Sequence, residues 1–164
     1  MLVVGRHTAK YEGSLAVFVI GMRINRIFPI SRWWNVAKTM PAMLSELSAN
    51  PESGYLGGEN LRYGMRTICV IQYWRDFASL EAYARDPDQI HWPAWRAFNR
   101  AIGEDGSVGI FHETYVVEAG GFETIYNNMP PFGLGKVAGL VKATGSRMEA
   151  RQRLGGGSGA DEKA

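Results

Sequence analysis

Two short segments hold most of the residues that can do chemistry. Residues 88–100 read Asp-Gln-Ile-His-Trp-Pro-Ala-Trp-Arg-Ala-Phe-Asn-Arg. Folded as a helix that continues to Ile102, they set His91, Trp95, Phe98 and Ile102 along one stripe, at spacings of four, three and four. His91 then points to the apolar side at the first helical turn. An imidazole there is a buried histidine bonded to backbone or a carboxylate, an axial metal ligand, or a proton carrier facing a pocket. The second segment, Phe111-His-Glu-Thr-Tyr115, reads as strand. Alternation puts His112 and Thr114 on one face and Phe111, Glu113 and Tyr115 on the other, so His112 and Glu113 form no dyad. No second histidine follows four residues on, which excludes the helical two-histidine zinc motif. Glu113 can pair with Arg23 or Arg66, as a structural ion pair or as a clamp on substrate.

Arg23 and Asn25 end an apolar run and share a strand face with Val17 and Val19. Polar groups at the end of a buried face satisfy each other or meet a ligand. Five tryptophans, Trp33, Trp34, Trp74, Trp92 and Trp95, stand in 164 residues. Packing alone accounts for any one of them; together with Phe98, Tyr73, Tyr83 and Tyr115 they can also wall a pocket for a flat apolar molecule, with Asn99 and Arg66 as its polar contacts. Gly133-Leu-Gly-Lys-Val-Ala-Gly139 fails as a nucleotide loop: its third glycine is one position late, it follows a proline turn, and no Lys-Ser/Thr pair appears. No nucleotide cofactor is expected. No serine sits in a nucleophile elbow. The single cysteine, Cys69, excludes an internal disulfide and a cysteine-based zinc cluster, and its apolar setting suits a buried thiol in a reducing cytoplasm.

The elements that must position these groups follow from periodicity. Residues 15–25 form a strand covered on both sides. Residues 32–50 form an amphipathic helix interrupted at Pro41, with Thr39 capping its second half. Strands follow at 55–63 and 67–74. Asp76 caps a short helix that stops at Asp86-Pro87, a second helix runs over about 88–102, and a last strand spans 108–118. The order is a ferredoxin-like split β-α-β arrangement, an α+β antiparallel sheet with helices on one face. Residues 67–71 are apolar on both strand faces, so the uncovered face is expected to meet a second subunit in a homodimer. Residues 1–13 read as an N-terminal extension and 14–121 as the α+β domain. Residues 122–154 read as a C-terminal extension, with a short strand at 122–127, turn chemistry at 127–133 and a weak helix over 136–154. Residues 155–164 read as a disordered tail.

Composition bounds the rest. With 46% hydrophobic and 21% charged residues the chain is that of a soluble globular protein. Eighteen Lys+Arg against sixteen Asp+Glu leave +2, too balanced to suggest nucleic acid as a partner. The strongest apolar run, 15–22, is too short to span a membrane, and no secretory leader precedes it; a cytoplasmic protein with no membrane partner is expected. Lys136, Lys142, Arg147, Arg151 and Arg153 make the C-terminal segment basic, which suits contact with phosphate or anionic lipid or, most simply, a solvated tail.

Four segments carry a resemblance. Val17-Phe-Val-Ile-Gly-Met-Arg-Ile-Asn25, His91-Trp-Pro-Ala-Trp-Arg-Ala-Phe-Asn99, Gly109-Ile-Phe-His-Glu-Thr-Tyr115 and Tyr126-Asn-Asn-Met-Pro-Pro-Phe-Gly-Leu134 resemble, in order, a bacterial and fungal monooxygenase-like family. One fungal branch of that family is associated with fumagillin biosynthesis. The resemblance covers about residues 5 to 140 and implies the dimeric α+β barrel superfamily, which also holds antibiotic-biosynthesis and haem-degrading monooxygenases, chlorite dismutases and aldoxime dehydratases. It implies an oxygenase acting on a small hydrophobic or aromatic molecule. In a cofactor-free version His91 or His112 is the base, and Arg23, Asn25 and Arg66 steady an oxyanion. In a haem version the order Trp74, Tyr83, His91 resembles small haem-degrading members, and His91 is the axial iron ligand. A dimeric ligand-binding protein without turnover is the non-enzymatic version.

Overall fold

Val, Ile and aromatic residues set the strands of this chain, and a change of period sets its helices. The computed structural model describes residues 1–87 and 106–154. Two compact units emerge, one of residues 16–115 and one of residues 1–15 with those from 116 onward. The elements are β1 (Val3–Ala9), β2 (Leu15–Ile24), α1 (Ser31–Ala37), α2 (Thr39–Ala49), β3 (Tyr55–Tyr63), β4 (Thr67–Trp74), α3 (Phe77–Arg85), β5 (Val108–Val117), β6 (Tyr126–Met129) and β7 (Leu140–Lys142). The helix expected over 88–102 lies outside the described residues.

The larger unit is α+β, with a four-stranded sheet in the order β3-β4-β2-β5. This is the ferredoxin-like order. β2 and β4 run antiparallel from Ala16 opposite Trp74 to Arg23 opposite Thr67. β3 pairs antiparallel with the other side of β4, with a bulge between Tyr55 and Gly57. Register and alternation then sort the sheet into two faces. One face packs beneath the helices: Ala16 and Trp74 meet Leu47 and Leu80, while Met22, Ile24 and Val108 meet Trp33, Val36 and Ala37. The other carries Val17, Val19, Cys69 and Ile71, all half-buried. On that face Gly21 lets β5 close in, because a Cβ there would lie 2.5 Å from the Phe111 ring.

Local signals place the helix ends, with one correction. Asp76 caps α3 as expected, its Oδ1 accepting from Ser79 N–H at 2.6 Å. The break in the first helical stretch comes a few residues before Pro41. α1 ends at Ala37, and the cap position of α2 is Lys38, not Thr39. Pro41 therefore falls in the first turn of α2, where a missing N–H costs no helical bond.

In the smaller unit β1 is the central strand of a sheet in the order β6-β1-β7. His7 lies opposite both Tyr126 and Lys142. The strand expected at 122–127 instead covers Tyr126–Met129, inside a stretch read as turn. Pairing with β1 supplies backbone bonds that override the local turn preference, and Asn128 accepts from Gly5 N–H at 2.8 Å. The single helix expected over 136–154 is also corrected. Short helices at Leu134–Ala138 and Ala150–Arg153 flank β7 and a 3₁₀ turn. Gly139 and Gly145, at φ +85° and +58°, interrupt the run. Arg153 is not part of a solvated face: its side chain is 6% exposed and holds Glu123 at 2.7 Å and the carbonyls of Arg147 and Met148. Among the described residues no helix is long and apolar enough to cross a membrane.

Candidate functional site

The step between α1 and α2 leaves a gap over the sheet. Val36 and Ala37 close α1, Met40 opens α2, and Ile20, Met22 and Val70 form the floor on the two central strands, with Ile110 from β5 at the side. These side chains enclose an apolar cleft of about 70 Å³. That is roughly twice the volume share of a liquid water molecule, enough for a branched alkyl group and unattractive to water. Of the side chains that face it from the sheet and the helices, none is titratable.

His112 lies on the same strand face as Ile110, about 7 Å further along β5 at ~3.4 Å per residue. Its ring is exposed and rests against Phe18, with ring centres 5.6 Å apart. An imidazole in that position has access to solvent and an apolar wall, which suits proton transfer.

A second cleft, of about 480 Å³, opens between the C-terminal end of α2 and α3. Glu46, Glu52, Asp76 and Asp86 line it, with Arg75 and Tyr83. The Tyr83 hydroxyl donates to Glu46 at 3.2 Å. Burial, then the neighbouring Glu46 charge, pushes the Tyr83 phenol far above its ordinary range. Asp76 is held below the usual carboxylate range, first by its hydrogen bonds from Ser79 and then by Arg75. The field of this cleft disfavours anionic ligands.

Among the described residues, those singled out from sequence do not converge on one point. Arg23, Asn25 and Arg66 gather at one end of the sheet. Arg23 donates to Thr67 Oγ1 at 3.3 Å, Asn25 donates to the Gly106 carbonyl at 3.1 Å, and the Arg66 carbonyl accepts from Ile24 N–H. Arg23, however, projects from the face away from α1 and α2, the opposite face from His112. Glu113 and Tyr115 share that far face, and the Tyr115 hydroxyl donates to Glu113 in place of the expected Arg23 or Arg66 partner. Trp74 is 0% exposed, packed on Tyr55 and Tyr83 and donating to Gln72 Oε1 at 3.0 Å. It holds the core between sheet and helices and lines neither cleft. His91, Trp92, Trp95, Phe98 and Asn99 lie outside the described residues. The aliphatic wall of the small cleft was missed from sequence. Its only signal was Ala37 and Met40 on either side of the helix break.

A haem group needs a slot for its porphyrin and partners for its propionates. The apolar cleft is several times too small for one, and the carboxylates of the larger cleft repel its propionates. Among the described residues no cluster of three or more His, Cys, Asp or Glu can hold a metal. Neither of these two clefts fits haem, and His91, the axial ligand that the resemblance implies, lies outside the described residues.

Comparison with known proteins adds the context. Residues 15–134 match the family described as monooxygenase af470-like. Monooxygenase af470 of Aspergillus fumigatus is 29% identical over 158 residues, which cover 92% of this chain and 54% of that protein. The chain thus spans about half the length of this curated relative. An aldoxime dehydratase crystallised with butyraldoxime shares the fold, with a TM-score of 0.66 at 18% identity over 82% of this chain and 40% of that one. SnoaB, a cofactor-independent oxygenase from Streptomyces nogalater, superposes with a TM-score of 0.42 at 16% identity, over 62% of this chain and 91% of SnoaB.

Proposed function

The chain belongs to the monooxygenase af470-like family, and from that premise we propose an oxygenase acting on a small hydrophobic molecule, one apolar group of which enters the cleft beneath α1 and α2. The observation that carries this reading is that the matched stretch, 15–134, contains every wall of that cleft. A dry slot fixes a substrate by its alkyl portion and leaves the reacting carbon at the rim, toward solvent, dioxygen and His112.

In this reading His112 removes a proton from an activated CH₂ of an enolisable or electron-rich substrate. The resulting carbanion itself reduces dioxygen. One oxygen atom stays on the carbon as a carbonyl and the other leaves as water, so the substrate supplies all the electrons.

Oxygen consumption across phenolic and polyketide-like compounds tests the reading. Saturable uptake with product formed is expected, and His112→Ala lowers kcat about a hundredfold or more while the protein stays folded. No uptake with any compound removes the oxygenase. Uptake that His112→Ala leaves untouched removes His112 as the base.

The same reading takes the working protein as a homodimer. Val17, Val19, Cys69 and Ile71 make the sheet face away from the helices apolar, and a second copy of the chain would cover it. Light scattering should return twice the mass of the chain.

A further inference from the structure

We propose that the loops at one end of the four-stranded sheet dock this protein onto an anionic lipid surface. The proposal does not rest on the oxygenase reading. Two loops meet there. The β2–α1 connection reads Arg26-Ile-Phe-Pro-Ile-Ser-Arg32, and the β3–β4 hairpin reads Arg62-Tyr-Gly-Met-Arg66. Each is an apolar tip bracketed by arginines. The Ile24 N–H donates to the Arg66 carbonyl at 2.8 Å and Arg23 sits opposite Thr67, so both tips belong to the same sheet end.

The tips are unusually bare. Phe28 is 75% exposed and Met65 92%, and Ile27, Ile30 and Trp34 are exposed beside them. Large apolar side chains left in water at adjacent loop tips mark an interaction surface. The charge is one-sided. Residues 13–45 contain no Asp or Glu but hold Arg23, Arg26, Arg32 and Lys38, and residues 60–74 contain none but hold Arg62 and Arg66. Among the described residues no carboxylate pairs with Arg26, Arg62 or Arg66. Glu104 and Asp105, ahead of Gly106, lie outside the described residues.

Charge and shape together select the occupant. Cationic groups around the tips complement a negative surface, while protruding Phe and Met side chains enter the boundary between headgroups and acyl chains. This assignment sets aside the expectation of no membrane partner. It requires no spanning segment, only adsorption of a folded domain by two apolar tips and a ring of arginines.

Sedimentation of the full chain with vesicles tests it. Binding is expected to vesicles of phosphatidylcholine and phosphatidylserine in equal parts, weakening as salt rises, with little binding to phosphatidylcholine alone. The pair Arg26→Glu and Arg62→Glu should lower partitioning about tenfold or more, since each cation near the surface contributes several-fold. The pair Phe28→Ser and Met65→Ser should weaken it severalfold at an unchanged melting temperature, which confirms that the variant is folded. Absence of binding to the anionic vesicles, or binding that neither folded variant reduces, overturns the proposal. So does a result in which these substitutions leave vesicle binding unchanged and instead halve the mass in solution, because the tips then hold a second copy of the chain.

Discussion

Filling the apolar cleft separates a binding site from a packing flaw. Ala37 is the position to use: it closes α1, packs toward Met22, Ile24 and Val108, and lines the cleft. Leucine adds three carbons, close to the volume available in a cleft of about 70 Å³. Burying them contributes at most about 2.4 kcal/mol at ~0.8 kcal/mol per carbon. Lost rotamer freedom and imperfect fit return about 1–1.5 kcal/mol of that. Ala37→Leu should therefore stabilise the protein by about 1 kcal/mol, a rise of about 2–4 °C in melting temperature. Xenon enters dry apolar cavities, so it serves as a probe that needs no knowledge of the substrate. Under xenon pressure the Met22 and Met40 methyl resonances should shift in the parent protein and stay still in Ala37→Leu, and oxygen uptake on any substrate that uses the cleft should fall with them. A variant destabilised by more than about 2 kcal/mol whose methionine resonances still respond to xenon would refute the reasoning, because the added side chain would then have gone elsewhere.

Two further outcomes follow from other parts of the structure. Trp74→Phe removes the indole N–H that satisfies Gln72 Oε1 at a buried position, and should cost about 2–3 kcal/mol in urea unfolding; a loss below about 0.5 kcal/mol would mean that the pair contributes nothing. Asp76 titrates lower in the folded state than its ordinary value, so its contribution is present above the unfolded carboxylate range and is lost as the pH falls through the folded value. Asp76→Asn, which keeps a capping oxygen without a charge, should be less stable than the parent at neutral pH. The gap should close in melting curves taken below about pH 4, and a gap that widens with acid would contradict the sign.

Where order is decided by neighbours in the chain, it was legible. The apolar, β-branched run that became β2 has no helical period, Asp76 had a helix ahead of it and Pro87 behind, and the alternation on β5 correctly separated His112 from Glu113 and Tyr115. The β6–β1–β7 sheet was not legible, because β1 gains its partners from more than 110 residues away and its own sequence records none of them. The same physics limits a site. Trp74 has the sequence character of a pocket aromatic, yet its place at the end of β4 sets it directly under Leu47 and Leu80. The cleft depends on a helix break at Lys38, one short residue at Ala37 and a floor from strands that are not adjacent in sequence. Sequence alone determined the period and ends of the central elements, hence the α+β class, since side-chain alternation and capping act over a few residues. Tertiary structure alone decided which faces meet, which aromatics became core and where a void remained, since packing is settled by groups that share no local signal.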